Sequence, residues 1–174
     1  MRQLPLLLLA GVVCAQTGRL PSFGQFHAGE IFKGKPAEPQ LTTPFAREFR
    51  TQIRDATRKG ANFAGKFTIA QWGCGGGCIQ MAVIHEETGA VSRGPFTTLD
   101  FSAPLRFAGG SDSSKVDSFE PLAFRKDSRL LIVRGCPEEN QNSCATFYYE
   151  WSGLKFRLLQ RFTAIPVVGD APAR

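Results

Sequence analysis

Two pairs of cysteines occupy matching places in two halves of a repeated pattern, and this restricts the fold of the 174-residue chain most strongly. Cys74 and Cys78 bracket three glycines between two β-rich apolar runs. Cys136 and Cys144 bracket a polar loop between two similar runs. A cysteine at each end of a hairpin loop, occurring twice, predicts two local disulfides, Cys74–Cys78 and Cys136–Cys144, that hold the loops in place.

The first fifteen residues have the pattern of a secretory signal peptide. Arg2 gives a short basic start, an apolar run follows from Leu4 to Val13, and cleavage is expected after Ala15. This run is too short to span a bilayer as a helix, and no later run is long enough. Cleavage leaves four of the five cysteines, an even number that suits an oxidising compartment. We therefore expect a periplasmic or extracellular protein. Lipid anchoring at Cys14 is the alternative, and it is disfavoured because the residues before this cysteine do not fit a lipidation site.

The remaining chain is organised as one domain with two extensions. Residues 16–40 are rich in glycine and proline and predict an extended arm, whose aromatic side chains pack in part on the body. Residues 41–162 predict a single disulfide-stabilised, β-rich domain, and residues 163–174 predict a flexible tail. The 15 phenylalanines indicate an ordered interior. The formal net charge of +6 permits anionic partners without requiring them, and nucleic acid is not expected.

One amphipathic helix is predicted over residues 43–59. Thr43 is placed to cap it, Pro44 fits its first position, and Gly60 fits the turn after its end. From Asn62 onward, alternating apolar residues and Gly-containing turns predict antiparallel strands, including one that spans Leu99 to Phe107. The fold class is therefore α+β, mostly β: two similar antiparallel β-meanders with the helix packed on the sheet.

Two features are candidate binding elements. The glycines Gly75, Gly76 and Gly77 form the first loop, where closely spaced amide groups suit an anion; the alternative is that a tight disulfide loop simply requires glycine. Trp72, just before this loop, either stacks on a ligand or packs in the core or between layers, and packing is favoured. Four arginines share one stripe of the helix, opposite its apolar stripe, and either bind an acidic group or are merely solvated. These are Arg47, Arg50, Arg54 and Arg58.

Chemistry by side chains has little support in the sequence. A small hydrolase would have to use His85 with Glu86 or Glu87, although a histidine at a strand end is more often a surface residue. A thiol–disulfide redox protein would use Cys74 and Cys78, whose spacing is one residue longer than the usual redox motif. No cofactor motif is present, and no metal site is expected because the thiols fall into two separated pairs.

Several motifs resemble those of small exported bacterial proteins of unassigned function. These motifs are the Thr43-Pro44 helix start, the Asn62-Phe63-Ala64-Gly65 entry to the first strand and the loop from Trp72 to Cys78. The resemblance covers roughly residues 31–161 and implies a secreted, stand-alone domain without transferring catalytic residues. Together with the disulfide loops, it leads us to expect a non-catalytic binding or inhibitor-like module whose partner is a protein or a cell-envelope polymer. The sequence leaves the oligomeric state open.

Overall fold

The structure, a computed structural model, describes residues 20–102, 105–106, 120–163 and 165–166. The predicted signal peptide at residues 1–15 and Cys14 lie outside the described residues. The helices are α1 (Pro44–Glu48) and α2 (Arg50–Thr57), with 3₁₀ turns at Phe23–Gln25 and Gln141–Ser143. The strands are β1 (Phe67–Gly75), β2 (Cys78–His85), β3 (Val91–Arg93), β4 (Leu99–Asp100), β5 (Leu105–Arg106), β6 (Leu122–Phe124), β7 (Leu130–Pro137), β8 (Ala145–Trp151), β9 (Phe156–Thr163) and β10 (Ile165–Pro166).

The strands form two antiparallel meanders joined by one short strand. The first meander is β1, β2 and β3, and the second is β6, β7, β8 and β9. Strand β4 pairs with β2 on one side and with β7 on the other, so both meanders belong to one sheet. The predicted fold class, α+β and mostly β with two similar hairpin units, is confirmed.

The main hydrophobic core lies between the two meanders. Alternate residues along each strand point to the same face, and these inward positions are apolar in both units. They include Phe67, Ile69, Met81 and Val83 from the first meander and Leu131, Val133, Phe147 and Trp151 from the second. The Trp151 ring is 1% exposed and lies 5.3 Å from the ring of Phe67, so aromatic packing links the two halves.

The helical segment covers the outer face of the first meander. The Thr43 side chain accepts a hydrogen bond from the Ala46 amide at 3.1 Å, as its capping position predicted. The predicted single helix is interrupted at Phe49, whose backbone angles (φ −100°, ψ 26°) divide it into α1 and α2. Its apolar stripe packs on the outward residues of β1 and β2, with Ile53 fully buried.

The N-terminal arm covers the outer face of the second meander. Leu20, Phe23 and Phe26 pack against a buried cluster formed by Leu130, Ile132 and Tyr148. Farther along, the arm is held by backbone hydrogen bonds to turns of the domain: from Ala28 to Asp127 at 2.9 Å, from Ala37 to Glu86 at 2.8 Å and from Gln40 to Gly89 at 2.7 Å. The arm is therefore a layer of the fold, because its aromatic residues pack on the second meander.

Two segments differ from the strand pattern predicted by the sequence. Alternation across residues 99–107 predicted one strand, but β4 and β5 are separate and have different partners. Pro104 between them has no amide hydrogen to donate, so continuous pairing is disfavoured. In the predicted tail, Ile165–Pro166 pairs with β5, whereas residues 164 and 167–174 lie outside the described part of the chain. Within the described residues, no helix has the length and apolar character needed to cross a membrane.

Candidate functional site

Strand β4 brings the two disulfide loops side by side. Both predicted disulfides, Cys74–Cys78 and Cys136–Cys144, are formed. Asp100 of β4 pairs with Cys78 on one side and with Cys136 on the other. The two loops, far apart in sequence, therefore lie side by side with only the two-residue strand β4 between them. We call residues 74–77, 138–142 and Asp100 the paired-loop surface.

The Asp100 carboxylate joins the two loops through hydrogen bonds. It accepts from the Ser102 amide at 2.8 Å, from the Ser102 hydroxyl at 2.7 Å and from Nε2 of Gln141 at 2.6 Å. Gln141 belongs to the second disulfide loop, and Ser102 lies against Gly77 of the first. The Ser102 hydrogen bonds, chiefly that of its hydroxyl, lower the pKa of Asp100 below its usual range. The carboxylate is thus anionic at neutral pH and holds the loops together.

The glycine loop has a backbone that only glycine adopts readily. Gly75, Gly76 and Gly77 have φ angles of 102°, 49° and 85°. A Cβ atom on Gly77 would lie 2.5 Å from the Ser102 Cβ, whereas a Cβ on Gly76 would have no neighbour within 4 Å. Gly77 requires glycine for two reasons, its positive φ angle and its close contact with Ser102. Gly76 lies at the exposed tip and requires glycine only for its φ angle. Backbone demand therefore accounts for this motif without a ligand.

The second loop is anchored more deeply. Cys136 and Cys144 are 0% and 5% exposed, whereas Cys74 is on the surface. The Glu138 carboxylate accepts from the Thr97 amide at 2.7 Å, and the Glu138 amide donates to the Thr98 carbonyl at 2.8 Å. The exposed residues of this loop are polar or acidic, and they are Glu138, Glu139, Asn140, Gln141 and Asn142.

Neither Trp72 nor the four arginines belong to the paired-loop surface. The Trp72 ring is half-buried against the helical segment, 4.8 Å from the Phe49 ring, and its Nε1 donates to Oε1 of Gln80 at 3.0 Å. Trp72 is thus part of the packing between helix and sheet. All four arginines, Arg47, Arg50, Arg54 and Arg58, are exposed on the helical segment. Arg47 donates to the Thr42 carbonyl at 2.6 Å, and Arg58 pairs with Asp55 at 2.9 Å.

Of the three residues of the hydrolase alternative, His85 and Glu87 lie together, with Nε2 of His85 3.8 Å from Oε2 of Glu87, whereas Glu86 does not join them. The His85 ring packs edge-on against Phe67, 4.7 Å between centroids, and its Nδ1 accepts from the Glu87 amide at 3.2 Å. Glu87 is engaged by Lys66 at 3.1 Å. Glu86 is fully buried and bonded to Thr68 on the other face of the sheet. His85 therefore has an exposed carboxylate beside it, while the buried carboxyl points elsewhere.

The sequence did not predict the roles of two residues, Asp100 between the disulfide loops and Glu86 at the other end of β2. Asp100 has no local motif, because its role comes from pairing with two strands at once. Glu86 was named only as a partner of His85, and its burial beside Lys33, Lys59 and Lys126 depends on the path of the arm. A polar residue within an apolar strand, such as Thr68, is a signal that could have indicated a buried hydrogen bond.

The described residues contain no group of three or more histidine, cysteine, aspartate and glutamate side chains arranged to hold a metal ion. Comparison of the chain with protein-family models, with curated proteins and with solved structures found no match.

Proposed function

We propose that the protein is an exported, non-catalytic binding module that presents the paired-loop surface to a protein partner. The observation that carries this proposal is the pairing of Asp100 with Cys78 and with Cys136, which places two disulfide-held loops next to each other. Loops that are already ordered lose less conformational entropy on binding, so a rigid pair is suited to recognition. Two local disulfides and a leader-like N-terminus support export.

The charge of the surface indicates the chemistry of the partner. Asp100, Glu138 and Glu139 give it an acidic character in a chain of net charge +6. Glu138 and Glu139 are exposed, Asp100 is half-buried, and polar amides lie among them, so the surface fits a basic, hydrogen-bonding patch rather than an apolar pocket. A protein with exposed lysine or arginine is therefore the expected partner, and a cell-envelope polymer is the alternative.

A crosslinking experiment tests the proposal. A photo-crosslinking residue at Asn142, within the surface, is compared with one at Lys155, which is exposed in the turn between β8 and β9. With native envelope and secreted fractions, we expect one discrete protein adduct from position 142 and none from position 155. Equal labelling from both positions, or no adduct, would contradict the proposal, and an adduct that resists protease would indicate a polymer.

Charge-matched variants make the test specific. Glu139→Lys with Asn142→Lys changes the net charge by the same amount as Glu38→Lys with Gln52→Lys, and all four residues are exposed. We expect the first double variant to lose the partner and the second to retain it. A loss in both would show that the overall charge, and not the paired-loop surface, determines the interaction.

The redox alternative is supported by one observation, the exposure of Cys74. A redox protein requires a disulfide that cellular thiols reduce. Incubation with millimolar glutathione, followed by alkylation and mass spectrometry, separates the two proposals. Reduction of Cys74–Cys78 with Cys136–Cys144 intact would favour the redox role, whereas resistance of both bonds would favour the binding module.

A further inference from the structure

The end of β2 opposite the disulfide loops borders a basic groove. Glu86 follows β2 directly, eight residues from Cys78, which corresponds to about 26 Å along a strand. The groove has a volume of about 320 Å³ and is bounded by the arm, the end of α2 and the turn after β6. Its charged lining residues are Lys33, Arg58, Lys59, Lys126 and, at its base, Glu86.

The positive charge of this groove is mostly uncompensated. Of its four basic side chains, Arg58 pairs with Asp55 at 2.9 Å. Lys33, Lys59 and Lys126 make no ion pair with any residue in the described part of the chain. Three elements that are distant in sequence thus contribute like charges to the lining of one groove, an arrangement that repels cations and attracts anions.

Glu86 beneath these cations has an incomplete set of hydrogen bonds. Its side chain is 0% exposed, and Oε2 has no hydrogen-bond partner among the described residues. The Thr68 hydroxyl lies 2.5 Å from Oε1 of Glu86 and 2.8 Å from the Gly60 carbonyl oxygen, and its single proton serves only one of these acceptors at a time. A proton on Glu86 satisfies both contacts, because Glu86 then donates to Thr68 and Thr68 donates to Gly60.

We propose that this groove binds a tetrahedral oxyanion, a phosphate or sulfate group, held by Lys33, Lys59 and Lys126 above the buried Glu86 side chain. Ammonium groups form strong charge-assisted hydrogen bonds with such oxyanions, and Arg58 adds a planar donor at the rim. The site lies at the other end of β2 from the paired-loop surface. Its failure in a test would therefore leave the proposed binding module untouched, and the reverse also holds.

Binding at this site is coupled to proton uptake by Glu86. Burial raises the pKa of Glu86, while the Thr68 hydrogen bond and the positive charge of Lys126 oppose that rise. The other ionisable groups that line the groove are Lys126 from the turn, Lys33 from the arm, and Arg58 and Lys59 from the end of α2, and His85 and Glu87 adjoin Glu86 in the chain. A bound anion offsets these positive charges and so raises the pKa of Glu86 further. The complex then takes up a proton, and binding tightens as the pH falls.

Calorimetric titration of the full-length protein with sodium sulfate tests the site, because sulfate itself does not titrate between pH 5 and 8. Sodium chloride at equal ionic strength is the reference, and sodium phosphate is a second probe. We expect saturable binding of sulfate or phosphate above chloride, weakened about fivefold by Lys126→Gln. Lys155→Gln removes the same charge from the turn between β8 and β9, outside the groove, and is expected to have no effect. Tighter binding of phosphate than of sulfate would identify phosphate as the preferred group.

The coupling to Glu86 gives a second, independent readout. The wild type should bind sulfate more tightly at pH 5 than at pH 8 and take up protons on binding, and Glu86→Gln should remove both effects. If Glu86→Gln does not fold, as judged by circular dichroism, the Lys126→Gln and Lys155→Gln pair still decides. No binding beyond that of chloride, or equal weakening by these two lysine variants, would overturn the proposal.

Discussion

The two meanders share a hairpin closed by a local disulfide, but they bury different parts of it. In the first, the helical segment covers the outer face and Cys74 of the disulfide loop is exposed. In the second, the N-terminal arm covers the outer face and the disulfide is buried, with Cys136 0% exposed. Similar local sequence patterns therefore produce one loop with a cysteine on the surface and one loop whose disulfide is anchored in the core, although both loops expose their tips. The pattern determines the hairpin, whereas the covering element and the neighbouring strand β4 determine what the hairpin exposes.

The two tryptophans should separate the halves most strongly. Trp151 is 1% exposed between the meanders, while Trp72 is half-buried under the helical segment. We expect Trp151→Ala to lower the free energy of unfolding by about 4 kcal/mol, because it opens a large cavity in the core. Trp72→Ala should cost about 2 kcal/mol, because less area is buried there. Chemical denaturation monitored by circular dichroism measures both, and equal costs would contradict a core centred between the meanders.

Removing each disulfide should give the next largest difference in the free energy of unfolding between the two meanders. In the chain-entropy model, each bond contributes about 2–3 kcal/mol, slightly more for the longer loop. Cys136→Ala with Cys144→Ala also empties buried volume, so its total cost should reach about 3 kcal/mol. Cys74→Ala with Cys78→Ala should cost about 2 kcal/mol. The midpoints of urea denaturation compare the two pairs, and a greater loss for the exposed pair would show that the first loop is the more important structural link.

Much of this comparison was predictable from local sequence. Both disulfides, the meanders and the Thr43 cap follow from residues that are close neighbours in the chain. The interruption at Phe49, the division of the 99–107 region and the role of Asp100 were not predictable, because each depends on packing or pairing with distant segments. Burial of Glu86 likewise requires the arm to cross the end of β2, and no local pattern encodes that path.

Variants of the glycine loop test whether the first hairpin requires glycine for its backbone conformation or for its contact with Ser102. Gly76 and Gly77 both have positive φ, but only Gly77 lies against Ser102. Gly76→Ala should cost about 1 kcal/mol for its backbone conformation. Gly77→Ala should cost about 2 kcal/mol, because the added Cβ must also displace Ser102 beside Asp100. Thermal unfolding of the two variants is the measurement, and identical costs would mean that the loop moves freely relative to β4.

One glutamate in each half, Glu86 and Glu150, should change the free energy of unfolding by the smallest amount at any single pH. The two contributions should, however, vary with pH in opposite directions. Burial raises the pKa of Glu86, so its favourable contribution is complete at acid pH and is lost as the pH rises through the raised pKa. The Arg157 hydrogen bond, with Arg129 also near, lowers the pKa of Glu150, so its contribution is present at neutral pH and is lost as the pH falls through the lowered pKa.

Gln variants of the two glutamates should therefore have opposite pH profiles. Relative to the wild type, Glu86→Gln should become more stabilising from pH 4 to pH 8, because the variant no longer has to ionise a buried group. Glu150→Gln should become more destabilising as the pH rises from about 2 to about 5, because over this lower range the wild type ionises and forms an ion pair that the variant lacks. Urea denaturation at several pH values measures both differences. Parallel profiles would contradict the contrast between a buried carboxyl in the first half and a paired carboxylate in the second.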